Sequence, residues 1–480
     1  MQFTTYGFVL VVLPLTVLGY FLLGRWGKRP AQIFLILLSM ALYACGGWEG
    51  MAVFAFSTAV NILLCLTMKK KPKWVRWCLW LGVTVQLGLL AAFKYLYFFA
   101  GIVSGVTGHT FSLPDWALPL GISFFAFQQI SYLADTAAGK TKDNSLTDYL
   151  LYITYYPKLL MGPIVRQNQL LEQFRRDGSH RINSQNLVNG LRQFVFGMAK
   201  KVILAETFAG AAAFLKNGEA TSMELILAAL AYTFQIYFDF SGYTDMATGF
   251  SRMLNIELPR NFDSPYWAMS LRDFWKRWHM SLTRFFTDYI YIPLGGSRKG
   301  NVRMILNTML VFTISGLWHG ANWTFVLWGI LNGALSLFDR LTEKKRERIH
   351  PAMQWGLTFS AVTLLWVLFY ADSIGQFVHI VARMFSFADT SVSEAFLNCF
   401  VNPELHLLMT MSGFVTIMNL IRGLPMLLYY GLAFGICLGC ENTSRRSSRM
   451  SLGGAAALAL LLAFCLSCLS RTSVFVYNNF

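Results

Sequence analysis

The chain has 480 residues, 55% of them apolar and 16% aromatic, with only 13% charged, which excludes a soluble domain of ordinary composition. A formal charge of +16 would suit nucleic acid if the basic residues formed a patch on a soluble surface. They fall instead in short loops between apolar runs, so membrane lipids are the expected surroundings and no nucleic-acid partner is expected.

Residues 6–24 form the first apolar run. Its basic residues, Arg25, Lys28 and Arg29, follow the run rather than precede it, and no small-residue cleavage site is evident, so a retained first span is expected rather than a signal peptide. Residues 31–46 and 48–68 can form an out-and-back hairpin ending at Lys69, Lys70, Lys71, Lys73 and Arg76. Further basic groups are Arg340, Lys344, Lys345, Arg346 and Arg348, then Arg445, Arg446 and Arg449. This is the positive-inside pattern, and it puts the N-terminus outside. The runs at 6–24, 354–371 and 452–470 approach the roughly 18 to 20 apolar residues of a spanning helix.

The expected architecture is an all-α polytopic membrane protein, one integral domain over 1–480. N-terminal spans fill 1–100, a core fills 118–335 and C-terminal spans fill 350–480, with about ten to twelve spans in all. Two or three crossings fit the region between the last basic clusters. Cys437-x-x-Cys440 and Cys465-x-x-Cys468 lie in continuous apolar runs without polar neighbours, so they read as packing residues, and no metal site is expected.

Between 118 and 335 the apolar runs are broken by polar, glycine and proline residues, as in "LPLGISFFAFQQISYLAD", "YYPKLLMGPIVRQ", "FGMAKKVILAE", "YFDFSGYTDMATGF" and "IPLGGSRKG". Broken helices and intramembrane polar groups are tolerated where they are buried in protein or line a wet cavity, so the working site is expected here. Asp239 and Asp245 each need a partner in an apolar segment, with Ser241 and Tyr243 beside them. Lys276, Arg277, Arg284 or a backbone donor are the expected partners. A helix-pinning ion pair and a direct catalytic role both stay open. Lys158, Lys200, Lys201, Lys276 and Arg277 could attract donor phosphates or serve as topology determinants.

Among seven histidines, His109, His180, His350, His379 and His406 sit in loops, segment ends or a short amphipathic run. The other two each follow a tryptophan. "SLRDFWKRWHMSLTRFF", residues 270–286, reads as one interfacial helix with a charged stripe through Lys276, Arg277 and Arg284 and an inner stripe through Trp275, Trp278, His279, Leu282 and Phe286. His319 lies in "MILNTMLVFTISGLWHGANWTFVLWGILNGALSLF", a stretch long enough to cross the bilayer. Helical spacing would put Ser315, Gly316, Asn322 and Trp323 on its face. A neutral imidazole among small and polar neighbours suits a general base, and a core histidine bonded to a neighbouring carbonyl is the alternative.

Together, "LPLGISFFAFQQISYLAD", "YYPKLLMGPIVR", "YFDFSGYTDMA", "LPRNFDSPYWAMSLRDFWKRWHMSLTRFFTDYIYIPLGGSRKG" and "SGLWHGANWTFVLWG" resemble the membrane-bound O-acyltransferase (MBOAT) family. The likeness is to its bacterial branch, which serves alginate, peptidoglycan and teichoic acid, and it runs in order over about 118–335. Gly162-Pro163 and Arg166 are in place. The resemblance implies an MBOAT fold in a bacterial plasma membrane, with about eleven spans plus re-entrant and interfacial helices around a funnel. It implies that His319 is the catalytic histidine and His279 the second functional one. "YIPLGGSRKG" and "GISFFAFQ" look more like the alginate and peptidoglycan members than the teichoic acid ones, a likeness that implies acetyl rather than D-alanyl as cargo. It implies no bound cofactor, with acetyl-CoA or an acyl carrier protein thioester as the donor. An extracytoplasmic SGNH-type transferase is the implied partner and a polysaccharide the acceptor.

On this reading His319 removes the proton of the incoming hydroxyl. His279 or Asn322 orients the acyl carbonyl or steadies its negative charge, and transfer is direct because no serine or cysteine is paired with a base. A transporter would be expected to show a repeat, and none is found. A mere scaffold for an extracytoplasmic enzyme would not need His319.

Overall fold

A computed structural model describes residues 3–114, 116–404, 423–440 and 450–471, and these are helical without any strand. His406, Arg445, Arg446 and Arg449 lie outside the described residues. The chain divides into two compact units, Met1–Phe194 with Met246–Pro259, and Val195–Asp245 with Arg260–Phe480.

The first unit begins with α1 (Leu13–Gly24), α2 (Lys28–Ala44), α3 (Trp48–Lys70), α4 (Val75–Leu90) and α5 (Leu96–Thr107). Gly27 and Gly47, both at φ +125°, make the two sharp turns between the first three helices, where a side chain would be strained. Leu15, Leu18 and Leu22 of α1 are more than half exposed, as suits a lipid-facing helix. Residues Pro72–Thr107 form one 36-residue helical run through a π-helical turn at Ala91–Tyr95.

Then come α6 (Ile122–Ala137), α7 (Leu146–Thr154), α8 (Tyr156–Leu159), α9 (Gln167–Arg175) and α10 (Ser184–Ala199). Polar side chains tie α3, α4, α6 and α7 together where no water competes. Ser57 donates to Gln86 (2.9 Å), Asn61 to the Gln129 carbonyl (3.1 Å), Gln129 to Thr58 (3.2 Å) and Tyr149 to the Gln129 side chain. Lys158 is fully buried, donates to Gln128 and lies over the Tyr152 ring at 4.3 Å. That burial removes it from the groups that could draw in a donor's phosphates.

The second unit holds α11 (Glu206–Ala212), most of α12 (Ser222–Met253), α13 (Leu271–Arg277), α14 (Met280–Phe286), α15 (Asn301–His319), α16 (Trp323–Leu341), α17 (Glu343–Arg346), α18 (Pro351–Tyr370), α19 (Ile374–Met384), α20 (Glu394–Asn398), α21 (Leu424–Gly439) and α22 (Leu452–Ser467). Among the described residues Trp48–Lys70, Pro72–Thr107, Ser222–Met253 and Pro351–Tyr370 are long and apolar enough to cross a bilayer. Phe8–Gly24, Leu424–Gly439 and Leu452–Ser467 are shorter apolar helices.

A π-helical turn, Lys200–Ala205, follows α10. Glycines let the α12 backbone approach it: a Cβ on Gly242 would stand 2.7 Å from the Gly197 carbonyl oxygen and 3.0 Å from the Lys201 nitrogen. That approach corrects the expected ion pairing. Asp239 is bonded by Lys201 (2.8 Å), which also binds Glu206 (2.9 Å), and Asp245 by Lys200 (2.6 Å). Lys276 and Arg284 are exposed, and Arg277 pairs with Asp273 one turn earlier (2.9 Å). Which cations reach the two aspartates is a matter of tertiary packing, which helical spacing does not reveal. Lys200 and Lys201 hold carboxylates and are therefore not open phosphate attractors.

Candidate active site

The stretch 270–286 is not one helix. Ser270 caps α13 by accepting from the Asp273 N–H (2.9 Å), and the Asp339 carboxylate accepts from the Leu271 N–H. After Arg277 the backbone extends at Trp278 (φ −99°, ψ 132°), turns left-handed at His279 (φ +43°, ψ 50°) and starts α14 at Met280. A left-handed residue other than glycine costs on the order of 1–2 kcal/mol, though histidine is among the side chains that adopt it most readily.

Tertiary contacts hold this break. The Asn261 carbonyl accepts from the Met280 N–H (2.9 Å), and the Asn261 side-chain oxygen accepts from both the Ser281 hydroxyl (2.6 Å) and the Ser281 N–H (3.2 Å). Trp278 is buried and stacks on Phe274 at 5.4 Å, with Phe262 and Trp366 each at 5.0 Å. The inner stripe therefore keeps its burial, since Trp275, Trp278, His279, Leu282 and Phe286 are all buried, while the helix that carries it is cut in two.

His319 likewise ends a helix. α15 stops at His319, Gly320 is extended, and Asn322 caps α16 by accepting from the Thr324 N–H (3.1 Å). The expected continuous face through Ser315, His319, Asn322 and Trp323 is therefore not formed. Glycine and the capping asparagine win over apolar periodicity here. The Asn322 side-chain nitrogen donates to the Asp372 carbonyl (2.8 Å), so Asn322 fixes the turn, and Trp323 is exposed.

α15 and α16 then cross at backbone contact. A Cβ on Gly316 would stand 2.2 Å from the Phe325 carbonyl oxygen, and one on Gly329 2.3 Å from that of Phe312. Replacing Gly329 by leucine forces the hairpin apart, with an expected cost of about 1–3 kcal/mol or more. Thermal unfolding in detergent should show a lowered midpoint, and an unchanged midpoint would mean that the crossing is looser than described.

The two tryptophan-histidine pairs meet at this hairpin's end. His279 and His319 are buried, at 1% and 3% exposure. Both rings pack on the Trp318 indole, His279 at 6.3 Å and His319 at 4.9 Å between centroids. Phe240 of α12 lies edge-on to His279 (4.7 Å), and Trp328 and Phe369 flank His319 (5.3 and 5.4 Å). The site is two imidazoles in an aromatic cage, a setting where a neutral ring can accept or donate one proton without competition from water.

Ser315 sits one turn before His319 and lines a cavity of about 220 Å³ with Trp275, Leu282, Phe286 and Phe312. Ser241 is buried on α12, and its neighbours Asp239 and Asp245 are committed to lysines, which gives these carboxylates helix-pinning geometry. Among the described residues no group of three or more His, Cys, Asp or Glu side chains could hold a metal ion. Sequence reasoning singled out both histidines and missed Asn261, Phe240 and Phe369. Asn261 carried a signal only as part of the quoted "LPRNFDSPYW" block.

Residues 86–374 match the MBOAT, membrane-bound O-acyltransferase family. The chain belongs to that family. It is accordingly a membrane-bound, multi-pass O-acyltransferase. A "Peptidoglycan O-acetyltransferase" of Helicobacter pylori is 33% identical over 100% of this chain and 97% of its own length. A "Probable alginate O-acetylase AlgI" of Pseudomonas putida is 36% identical over 82% of each chain. A "Teichoic acid D-alanyltransferase" of Bacillus subtilis is 28% identical over 49% of this chain and 63% of its own. The acetyl-transferring relatives thus match the MBOAT chain over more of its length, and at higher identity, than the D-alanyl-transferring one.

Proposed function

We propose that this MBOAT chain moves an acetyl group from a cytoplasmic thioester, acetyl-CoA or an acyl carrier protein, toward a hydroxyl of a cell-surface polysaccharide. The observation that carries this reading is the pair of buried imidazoles packed on one indole. It is supported by relatives named for acetylating peptidoglycan and alginate.

A thioester is already activated, so catalysis needs a base, alignment and a partner for the developing oxyanion. His319 is the base in this account. The acceptor oxygen attacks the thioester carbonyl as His319 takes its proton, the carbon–sulfur bond breaks, and the proton passes to the departing thiolate. Trp278 holds the position of His279, and Ser315 is proposed to contact the donor from the wall of the cavity it lines. Lys276, exposed on α13, remains the proposed attractor for the donor's phosphates, whereas Arg277 is engaged by Asp273. An extracytoplasmic SGNH-type transferase receives the group and passes it to the polymer.

The test supplies the reconstituted chain and such a partner with labelled acetyl-CoA in one arm and a D-alanyl carrier protein in the other. Label is expected to leave acetyl-CoA. Consumption of the D-alanyl carrier alone would reassign the cargo, and consumption of neither would overturn acyl transfer from these donors.

A further inference from the structure

The hydrogen bonds around Asn261 determine which way its amide faces. Its Oδ1 accepts from the Ser281 hydroxyl at 2.6 Å and from the Ser281 N–H at 3.2 Å, which an amide nitrogen could not do. The Nδ1 of His279 lies 3.3 Å from that same oxygen. A lone pair on Nδ1 would face the oxygen's own electrons, so Nδ1 carries the proton and donates. In a neutral ring Nε2 then bears the lone pair. That Nε2 is buried and has no hydrogen-bond partner among the described residues, and the Asn261 side chain is itself buried. A buried acceptor left empty is costly, and it is retained where something arrives to fill it.

We infer that Asn261 is a positioning residue: it holds His279 in the Nδ1–H form, so that Nε2 offers its lone pair to a substrate group that donates a hydrogen bond. This deepens the acyl-transfer reading and rests on it for the identity of the substrate. It also narrows the part played by His279. A neutral ring in this form receives a proton or hydrogen bond at Nε2, and it cannot donate to the oxyanion from there. The left-handed backbone at His279 fits the same purpose, since it turns the ring toward Asn261 between two helices that would otherwise run on.

The test uses the full chain in detergent with nitrogen-labelled histidine, and the His279 ring signals are assigned by their loss in His279→Gln. Wild type is expected to show Nδ1 protonated and Nε2 bare. Asn261→Leu is expected to lose that form and to lower kcat about a hundredfold with KM within about threefold of wild type. Asn261→Asp keeps an oxygen facing Nδ1 and should restore both the ring form and most of kcat. An Nε2–H ring in wild type overturns the inference, as does an Asn261→Leu protein that retains the Nδ1–H form. Should Asn261→Leu fail to fold, wild type and Asn261→Asp still decide. The ring form is read without turnover, so a failure of acetyl transfer counts against the proposed function and an Nε2–H ring counts against Asn261.

Discussion

His319→Ala is expected to cut acyl transfer by about 10²- to 10⁴-fold while the protein stays folded, the range for loss of a positioned general base. That corresponds to about 3–5 kcal/mol of transition-state stabilisation. The loss should fall on kcat rather than KM, because in the proposed mechanism the imidazole acts on the proton in flight and not on the resting thioester. Folding should survive: His319 ends its helix, and the hairpin that positions it is set by the Gly316–Gly329 approach and the Asn322 cap, which the substitution leaves alone. Steady-state transfer with thermal unfolding run alongside separates the two effects. Equal transfer by mutant and wild type would remove His319 from the chemistry.

Lys201→Met should show the reverse pattern, a large loss of stability in a residue outside the reaction. Its ammonium holds Asp239 at 2.8 Å and Glu206 at 2.9 Å, and the lysine and Asp239 side chains are almost wholly buried. Removing the cation takes its charge away from two carboxylates, and breaking a buried pair from one side typically costs about 3–5 kcal/mol. Adding Asp239→Asn and Glu206→Gln to the same chain should recover part of that loss, since an amide needs no counter-charge. An unchanged unfolding midpoint for Lys201→Met would mean that water or lipid headgroups already satisfy these carboxylates. A direct catalytic role for Asp239 would instead make Asp239→Asn inactive at full stability.

What could be read from the sequence follows physical range. The helical class and membrane setting are properties of composition and run length, and they are legible. The buried stripe through Trp275, Trp278, His279, Leu282 and Phe286 is also legible, because burial follows spacing over a turn or two. The break at His279 is not, because periodicity carries straight through it. What breaks the helix is Asn261, eighteen residues earlier in the chain, accepting from Ser281 and Met280. The end of α15 at His319 could have been found, since Gly320 and a capping Asn322 are ordinary stop and start signals that the apolar run overshadowed. The lysine partners of Asp239 and Asp245 depend on a π-helical turn and a glycine approach that no local pattern announces.

In the proposed function one chain carries an acyl group from a donor on one side of the membrane to an acceptor on the other through His319. The direct measurement seals the protein into vesicles with its extracytoplasmic partner and a polysaccharide enclosed, and adds labelled acetyl-CoA outside to the face that carries Lys276. Label is expected on the enclosed polysaccharide for wild type, with a loss of at least about a hundredfold for His319→Ala. Enclosed polysaccharide labelled equally in both would contradict it.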